Sequence, residues 1–194
     1  MKLRLYLILP GFLLAGTLLN AQKAAVKTNL LYDAFATVNA GVEIGLAPKW
    51  TLDVSGNYNA WTLSHGRRWR HAVLQPEARY WFCDRFAGHF LGVHALGGKY
   101  NVGGLKNSLS MLGTDFSKLS DRRYQGWFAG LGVGYGYTFI LDRHWSCEAE
   151  LGVGWTYTRY DAYPCAACGT KIEDGRPHNY VGITKAALNI VYNF

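Results

Sequence analysis

The stretch that decides the fold is Trp50-Thr51-Leu52-Asp53-Val54-Ser55-Gly56-Asn57-Tyr58-Asn59-Ala60-Trp61. Leu52, Val54, Gly56, Tyr58 and Ala60 fall on one side, and Thr51, Asp53, Ser55, Asn57 and Asn59 on the other. Successive side chains of a strand point to opposite faces, so this alternation predicts a strand with one apolar and one polar face. A helix would scatter both sets around its axis and would have to tolerate Gly56 and β-branched residues.

The pattern recurs along the chain. Ala149, Leu151, Val153, Trp155 and Tyr157 oppose Glu148, Glu150, Gly152, Gly154, Thr156 and Thr158. Ala72, Leu74, Ala78, Tyr80 and Phe82 oppose His71, Gln75, Glu77 and Arg79, and Ala40, Val42, Ile44 and Leu46 oppose Asn39, Gly41, Glu43 and Gly45. Strands are expected over 24–34, 39–47, 50–61, 69–82, 88–100, 124–139, 145–160 and 179–194. Tight turns at Ala47–Lys49, Cys83–Phe86 and Leu141–His144 alternate with polar loops at 62–68, 101–123 and 161–178. The first connection, 35–38, is short but falls on the long-loop side. Short turns at one end and longer loops at the other predict an all-β, eight-stranded antiparallel up-and-down transmembrane β-barrel.

Composition narrows the alternatives. The chain has 194 residues, 49% hydrophobic, 15% aromatic and 17% charged, with 23 glycines. So many aromatics exclude disorder. No apolar run long enough for a spanning helix exists beyond the first twenty or so residues. Residues 1–21 read as a cleaved signal peptide: Lys2 and Arg4, an apolar stretch from Leu5 to Leu19, and Ala21 before cleavage. Residues 22–194 are then the barrel domain, and the outer membrane its expected location. Lys2 and Arg4 supply two of the net +7 charges, and no basic run with interleaved aromatics supports nucleic-acid binding.

Charge at mid-depth cannot face lipid cheaply, so the polar faces point inward. They carry Lys27, Asp33, Glu43, Asp53, Glu77, Arg79, Glu148, Glu150 and Lys185. An eight-stranded barrel is just wide enough for side chains to fill, so these charges are expected to form a salt-bridged plug, with a proton or ion path as the alternative. The row Gly126, Gly130, Gly132, Gly134 and Gly136 makes room for large neighbours such as Arg79 or Tyr160. Trp50, Trp61, Trp127, Tyr137, Phe139, Trp155, Tyr157, Tyr192 and Phe194 are expected at the rims of the apolar face.

Several residue groups could carry chemistry. Cys165 and Cys168 form a C-x-x-C, for which an exported setting favours a disulfide; a metal site with His178 would need ligands from elsewhere, and a redox pair would need a different setting. Cys83 and Cys147 read as single thiols. Arg67, Arg68 and Arg70 form a cationic rim suited to the phosphates of outer-membrane lipid or lipopolysaccharide. The segment Leu105 to Leu112 could form an amphipathic turn at the same rim. His71 and Ser64 would serve a lipid-modifying enzyme only with an orienting carboxylate such as Asp33 or Glu43, and no spacing supports one. No enzymatic activity and no cofactor is expected.

Lys27-Thr-Asn-Leu-Leu-Tyr-Asp-Ala34, Trp50 to Asn59, Gln75-Pro-Glu-Ala-Arg-Tyr-Trp-Phe82, His94-Ala-Leu-Gly-Gly-Lys-Tyr-Asn-Val102, Tyr163-Pro-Cys-Ala-Ala-Cys168 and Thr184-Lys-Ala-Ala187 resemble a Bacteroidota outer-membrane barrel family, domain of unknown function 3575. Its members resemble small OmpA-type barrels, some encoded near fimbrial genes. The alternating end with Tyr192 and Phe194 resembles the ending that the barrel-assembly machinery recognises. The resemblance implies a fold and a location and no activity. The expectation is a structural or interaction protein that displays surface loops to fimbrial or other surface proteins. Its alternatives are an outer-membrane lipid-modifying enzyme and a lipocalin-like soluble binder; the charged inner face argues against the binder.

Overall fold

Alternation becomes architecture through pairing. In a computed structural model, which describes residues 24–62, 68–104, 110–111, 114–115, 122–165 and 169–194, the strands are β1 (Ala24–Asn29), β2 (Val38–Ala47), β3 (Trp50–Thr62), β4 (Arg68–Trp81), β5 (Gly88–Gly103), β6 (Ser110–Met111), β7 (Thr114–Asp115), β8 (Arg123–Ile140), β9 (Trp145–Tyr163) and β10 (Glu173–Asn193). A single helical turn, α1 (Leu30–Ala34), follows β1. Strands β1, β2, β3, β4, β5, β8, β9 and β10 close into an antiparallel, up-and-down ring in which β1 meets β10. The seam pairs Ala25 with Asn193 through Asn29 with Asn189, and Phe194 donates its backbone N–H to the Ala24 carbonyl at 2.9 Å. Closure removes both sheet edges, which would otherwise leave backbone groups unpaired.

The pleat divides the ring into two environments. Thr51, Asp53, Asn57 and Asn59 of β3 are buried, while Val54 and Tyr58 are exposed. Strands β2, β4, β8 and β9 obey the same rule, so charged residues face the lumen and Val42, Leu74, Val133, Leu151 and Val153 face outward. A water-soluble domain has the opposite arrangement.

Four features of the strands depart from the sequence-based expectation. First, β1 stops at Asn29 rather than continuing to Ala34. The Asn29 side chain accepts a hydrogen bond from the backbone of Leu31 at 3.1 Å and starts α1, so period-2 parity ends there. Second, β9 and β10 run further than expected, to Tyr163 and from Glu173, which shortens the last loop. Third, β6 and β7 pair as a small hairpin within the longest connection; the rest of the expected amphipathic segment, residues 105–109 and 112, lies outside the described residues. Fourth, Trp61 has inward parity rather than lying on the apolar face, and its indole donates to the carbonyl of Ala36 at 2.6 Å. The expected signal peptide also lies outside the described residues.

One irregularity sets up the interior. The β10–β9 register shifts between Ile183 and Lys185. Before it, Val181 and Ile183 point outward; after it, Lys185, Asn189 and Val191 are buried. A one-residue slip swaps faces, so this bulge at Thr184 turns Lys185 into the lumen.

Candidate functional site

The lumen holds a network of charged groups centred on Arg79, which is fully buried. Its Nε donates to Glu77 Oε1 at 2.7 Å. Nη1 donates to Glu43 Oε2 and Glu148 Oε2, each at 2.8 Å, and Nη2 to Glu150 Oε2 at 2.7 Å. Asp53 Oδ2 lies 3.5 Å from Nη2. Carboxylates from four strands therefore converge on one guanidinium, whose planar fork suits several at once. Two lysines flank it. Lys27 Nζ lies 2.5 Å from Glu43 and 3.4 Å from both Glu148 and Asp53. Lys185 Nζ lies 2.6 Å from Glu77 and 3.1 Å from Glu150.

Polar neighbours complete the network. Asn189 donates to Glu148 at 2.7 Å, and Thr51 donates to Glu43 while accepting from the Trp81 indole at 2.9 Å. His94 Nε2 meets Thr184 Oγ1 at 2.9 Å, and its Nδ1 lies 3.5 Å from Glu77. Below, the Arg79 guanidinium sits 4.4 Å over the Phe90 ring, and Phe90 packs on Trp81 with centroids 4.7 Å apart. Three cations face five carboxylates. Glu150 Oε1 and Asp53 Oδ1 accept no hydrogen bond from the described residues.

Glycines make this packing feasible. A Cβ on Gly132 would strike His94, Thr184 and the Val153 carbonyl, and one on Gly136 would strike the Phe90 ring. The expected glycine row is thus a recess: Tyr160 abuts Gly126 as expected, but the places expected for Arg79 are taken by His94 at Gly132, Glu150 at Gly134 and Phe90 at Gly136.

Eight of the nine expected interior charges meet in this network. Asp33 does not. It lies on α1, exposed at the loop end, and accepts from Thr28 at 2.9 Å and Asn39 at 2.7 Å. Extending β1 through the Asn29 cap produced that misplacement. Conversely, sequence reading did not place His94, Trp81 and Phe90 in the network. Their strand parity, shared with Gly92 on β5 and with Glu77 and Arg79 on β4, was the available signal.

The remaining candidates are dispersed. Cys165 is in a disulfide, Cys83 and Cys147 are free, and Cys168 lies outside the described residues. His178 sits on β10 opposite Thr158. His71 packs near Tyr32 and Trp69, with no carboxylate hydrogen bond among the described residues; Ser64 lies outside them, as does Arg67. Arg68 is half-buried and Arg70 exposed, the latter donating to Thr62 at 2.6 Å. Tyr192 and Phe194 face outward beside the seam, with ring centroids 5.1 Å apart, and Tyr192 also packs on Trp145.

At the loop end the expected polar connection is pinned by charge. Lys171 Nζ lies 2.8 Å from both Asp161 and Asp174, and Asp161 accepts the Gly175 N–H at 2.8 Å. Hydrogen bonds to Asp161 and Asp174 hold the Lys171 ammonium above its ordinary pKa. The Lys171 and Gly175 hydrogen bonds hold Asp161 below its own.

Fold and site together define a class: an all-β ring of eight antiparallel strands with an apolar exterior and an ion-paired interior. The chain belongs to the family described as Protein of unknown function (DUF3575), which matches residues 7–194. Comparison with curated proteins and with solved structures found no match to either.

Proposed function

We propose that this protein is a small outer-membrane β-barrel whose interior is plugged by its own ion pairs and whose role is structural or interactive, displaying loops at the cell surface. The observation that carries this reading is the inverted polarity, with aliphatic side chains outside and the Arg79 network inside. The outward aromatics support it. Phe139 and Trp127 bracket the apolar run of β8, and Trp145 and Tyr157 that of β9. Each pair is separated by roughly 40 Å of strand at ~3.3 Å per residue. At a tilt of ~45° that is about 28 Å of height, close to the ~25 Å apolar band of outer-membrane barrels.

Export through residues 1–21, insertion by the barrel-assembly machinery through the Tyr192–Phe194 ending, and kinship with small OmpA-type barrels of Bacteroidota belong to the same proposal. So does a fimbrial or other surface protein as the partner of the loops. The packed lumen favours a plug over a solute pore, and no residue is assigned a catalytic role.

The test is fractionation of cells followed by gel mobility with and without boiling. The expected result is recovery from the outer membrane and faster migration of the unboiled protein. Recovery in a soluble fraction would overturn the proposal. A changed lipid A mass on expression would favour an enzyme instead.

A further inference from the structure

The outer wall carries a groove that the plug does not explain. On the outward faces of β2 to β5, Val38, Ala40, Gly56, Tyr58, Leu74 and Gly97 line an apolar slot of about 530 Å³. Toward the loop end it opens into a second hollow of about 640 Å³, lined by Arg70, Lys99, Trp127 and Arg159 and, at its far side, by Asp161 and Asp174. Tyr58, Ala72 and Lys99 border both, so the two are continuous.

Pairing places these groups in order. Ala72, Lys99, Trp127 and Arg159 are consecutive cross-strand partners on one ring, with neighbouring strands ~4.8 Å apart. Arg70 stands one outward position further up β4. Trp127 marks the aromatic tier of the outer surface, Lys99 and Arg159 are its direct cross-strand neighbours, and the slot lies toward the apolar middle of the strands.

Cations outnumber carboxylates here, Arg70, Lys99 and Arg159 against Asp161 and Asp174. Lys99 makes no ion pair among the described residues. Arg70 donates to the Thr62 hydroxyl and Arg159 to the Gly175 carbonyl, at 2.6 and 3.0 Å, both neutral acceptors. The two carboxylates of the hollow, Asp161 and Asp174, are both held by Lys171 and pair with none of these three cations among the described residues. A hollow with three cations free of ion pairs among the described residues, and an apolar slot beside it, is complementary to an anionic headgroup joined to an acyl chain. Arginine and lysine bind phosphate through charge-assisted hydrogen bonds, and the slot gives a hydrocarbon tail a fixed place to lie.

We propose that Lys99, Arg159 and Arg70, with the slot floored by Gly56 and Ala72, form a specific site for a phosphorylated, acylated lipid of the outer leaflet. The proposal rests on the membrane reading and replaces an arginine rim read from sequence neighbours with a defined groove in which Arg70 joins Lys99 and Arg159 from other strands.

The test is native mass spectrometry of the full-length protein in mild detergent, titrated with phosphorylated lipid A, dephosphorylated lipid A, and inorganic phosphate as competitor. Heat-dependent mobility is recorded on the same samples. The expected result is one phosphorylated lipid per barrel, at least tenfold weaker binding by K99Q/R159Q, and weaker binding by A72L, which fills the slot and keeps the cations. Equal binding by the variants or by dephosphorylated lipid would overturn the site. So would full competition by inorganic phosphate, or a lipid-free dimer. Heat-modifiable protein that binds no lipid defeats this inference alone; protein that neither folds as a barrel nor enters membranes defeats the membrane reading with it.

Discussion

Two sets of cations in this molecule stand in opposite situations. Arg79, Lys27 and Lys185 lie in the lumen, each within 2.5–2.7 Å of a carboxylate of the same chain. Lys99, Arg159 and Arg70 lie on the outer wall and pair with no carboxylate among the described residues. The inner set is consumed by folding: its carboxylates come from four strands, and removing one partner leaves buried charge without compensation. The outer set contributes little to folding and is available to an external anion. The same residue types are thus structural in one place and free for binding in the other, and the difference is set by which side of the pleat they occupy.

Breaking the inner set should have the largest effect. Arg79→Met removes the charge that five carboxylates share while roughly keeping volume. The expected loss is about 3–5 kcal/mol, the usual cost of stripping one partner from a buried ion network. Urea titration of the refolded barrel, read by gel mobility, checks it; a loss below about 1 kcal/mol would mean that the network is not what holds the lumen.

Next comes crowding. Gly132→Val pushes side-chain atoms against the Val153 backbone, which cannot move without distorting β9. Overpacking of this kind costs about 1–3 kcal/mol, so the same titration should show a lower midpoint. Glu150→Gln should be milder, about 1 kcal/mol, because carboxylates outnumber cations here and Glu150 has one oxygen without a hydrogen bond from the described residues. If E150Q were as damaging as R79M, the carboxylate excess would itself be required.

The outer set should respond in reverse. K99Q/R159Q is expected to change the unfolding free energy from the urea titration by no more than about 0.5 kcal/mol, as surface changes usually do, while lowering lipid binding at least tenfold. That contrast is the sharpest form of the comparison.

The smallest effect concerns the Lys171 clamp. Asp161 has a lowered pKa, so its contribution is present above its ordinary value of 3.8 and is lost as pH falls through the lower folded value. Lys171 has a raised pKa, so its contribution is present below 10.5 and is lost only as pH rises through a still higher value. The clamp should therefore be constant from about pH 5 to about pH 9. The Gly175 amide shift, followed by NMR, should stay flat over that range and move in acid; K171A should perturb this signal with little change in global stability.

Much of this was readable in residue order. Alternation over Thr51–Asn59 and Glu148–Thr158 assigned faces correctly, and the same reading placed eight interior charges. Asp33 was misread because the Asn29 cap is a local hydrogen-bonding choice that alternation cannot register. The rim arginines were read as one patch because they are neighbours in sequence. In the folded wall Arg70 shares its groove with Lys99 and Arg159, which come from other strands.

The bulge at Thr184 shows where the boundary falls. The apolar phase of β10 changes between Val181–Ile183 and Leu188–Tyr192, so the sequence carries the trace of a face switch. Sequence alone determined that strands would form and which residues would share a face, because alternation is a local property of period 2. The tertiary structure decided that Lys185 would reach Glu77, that His94 would fill the recess over Gly132, and that five carboxylates would gather on Arg79. Those outcomes depend on register and closure around the ring, which couple residues as far apart in the chain as Glu77 and Lys185.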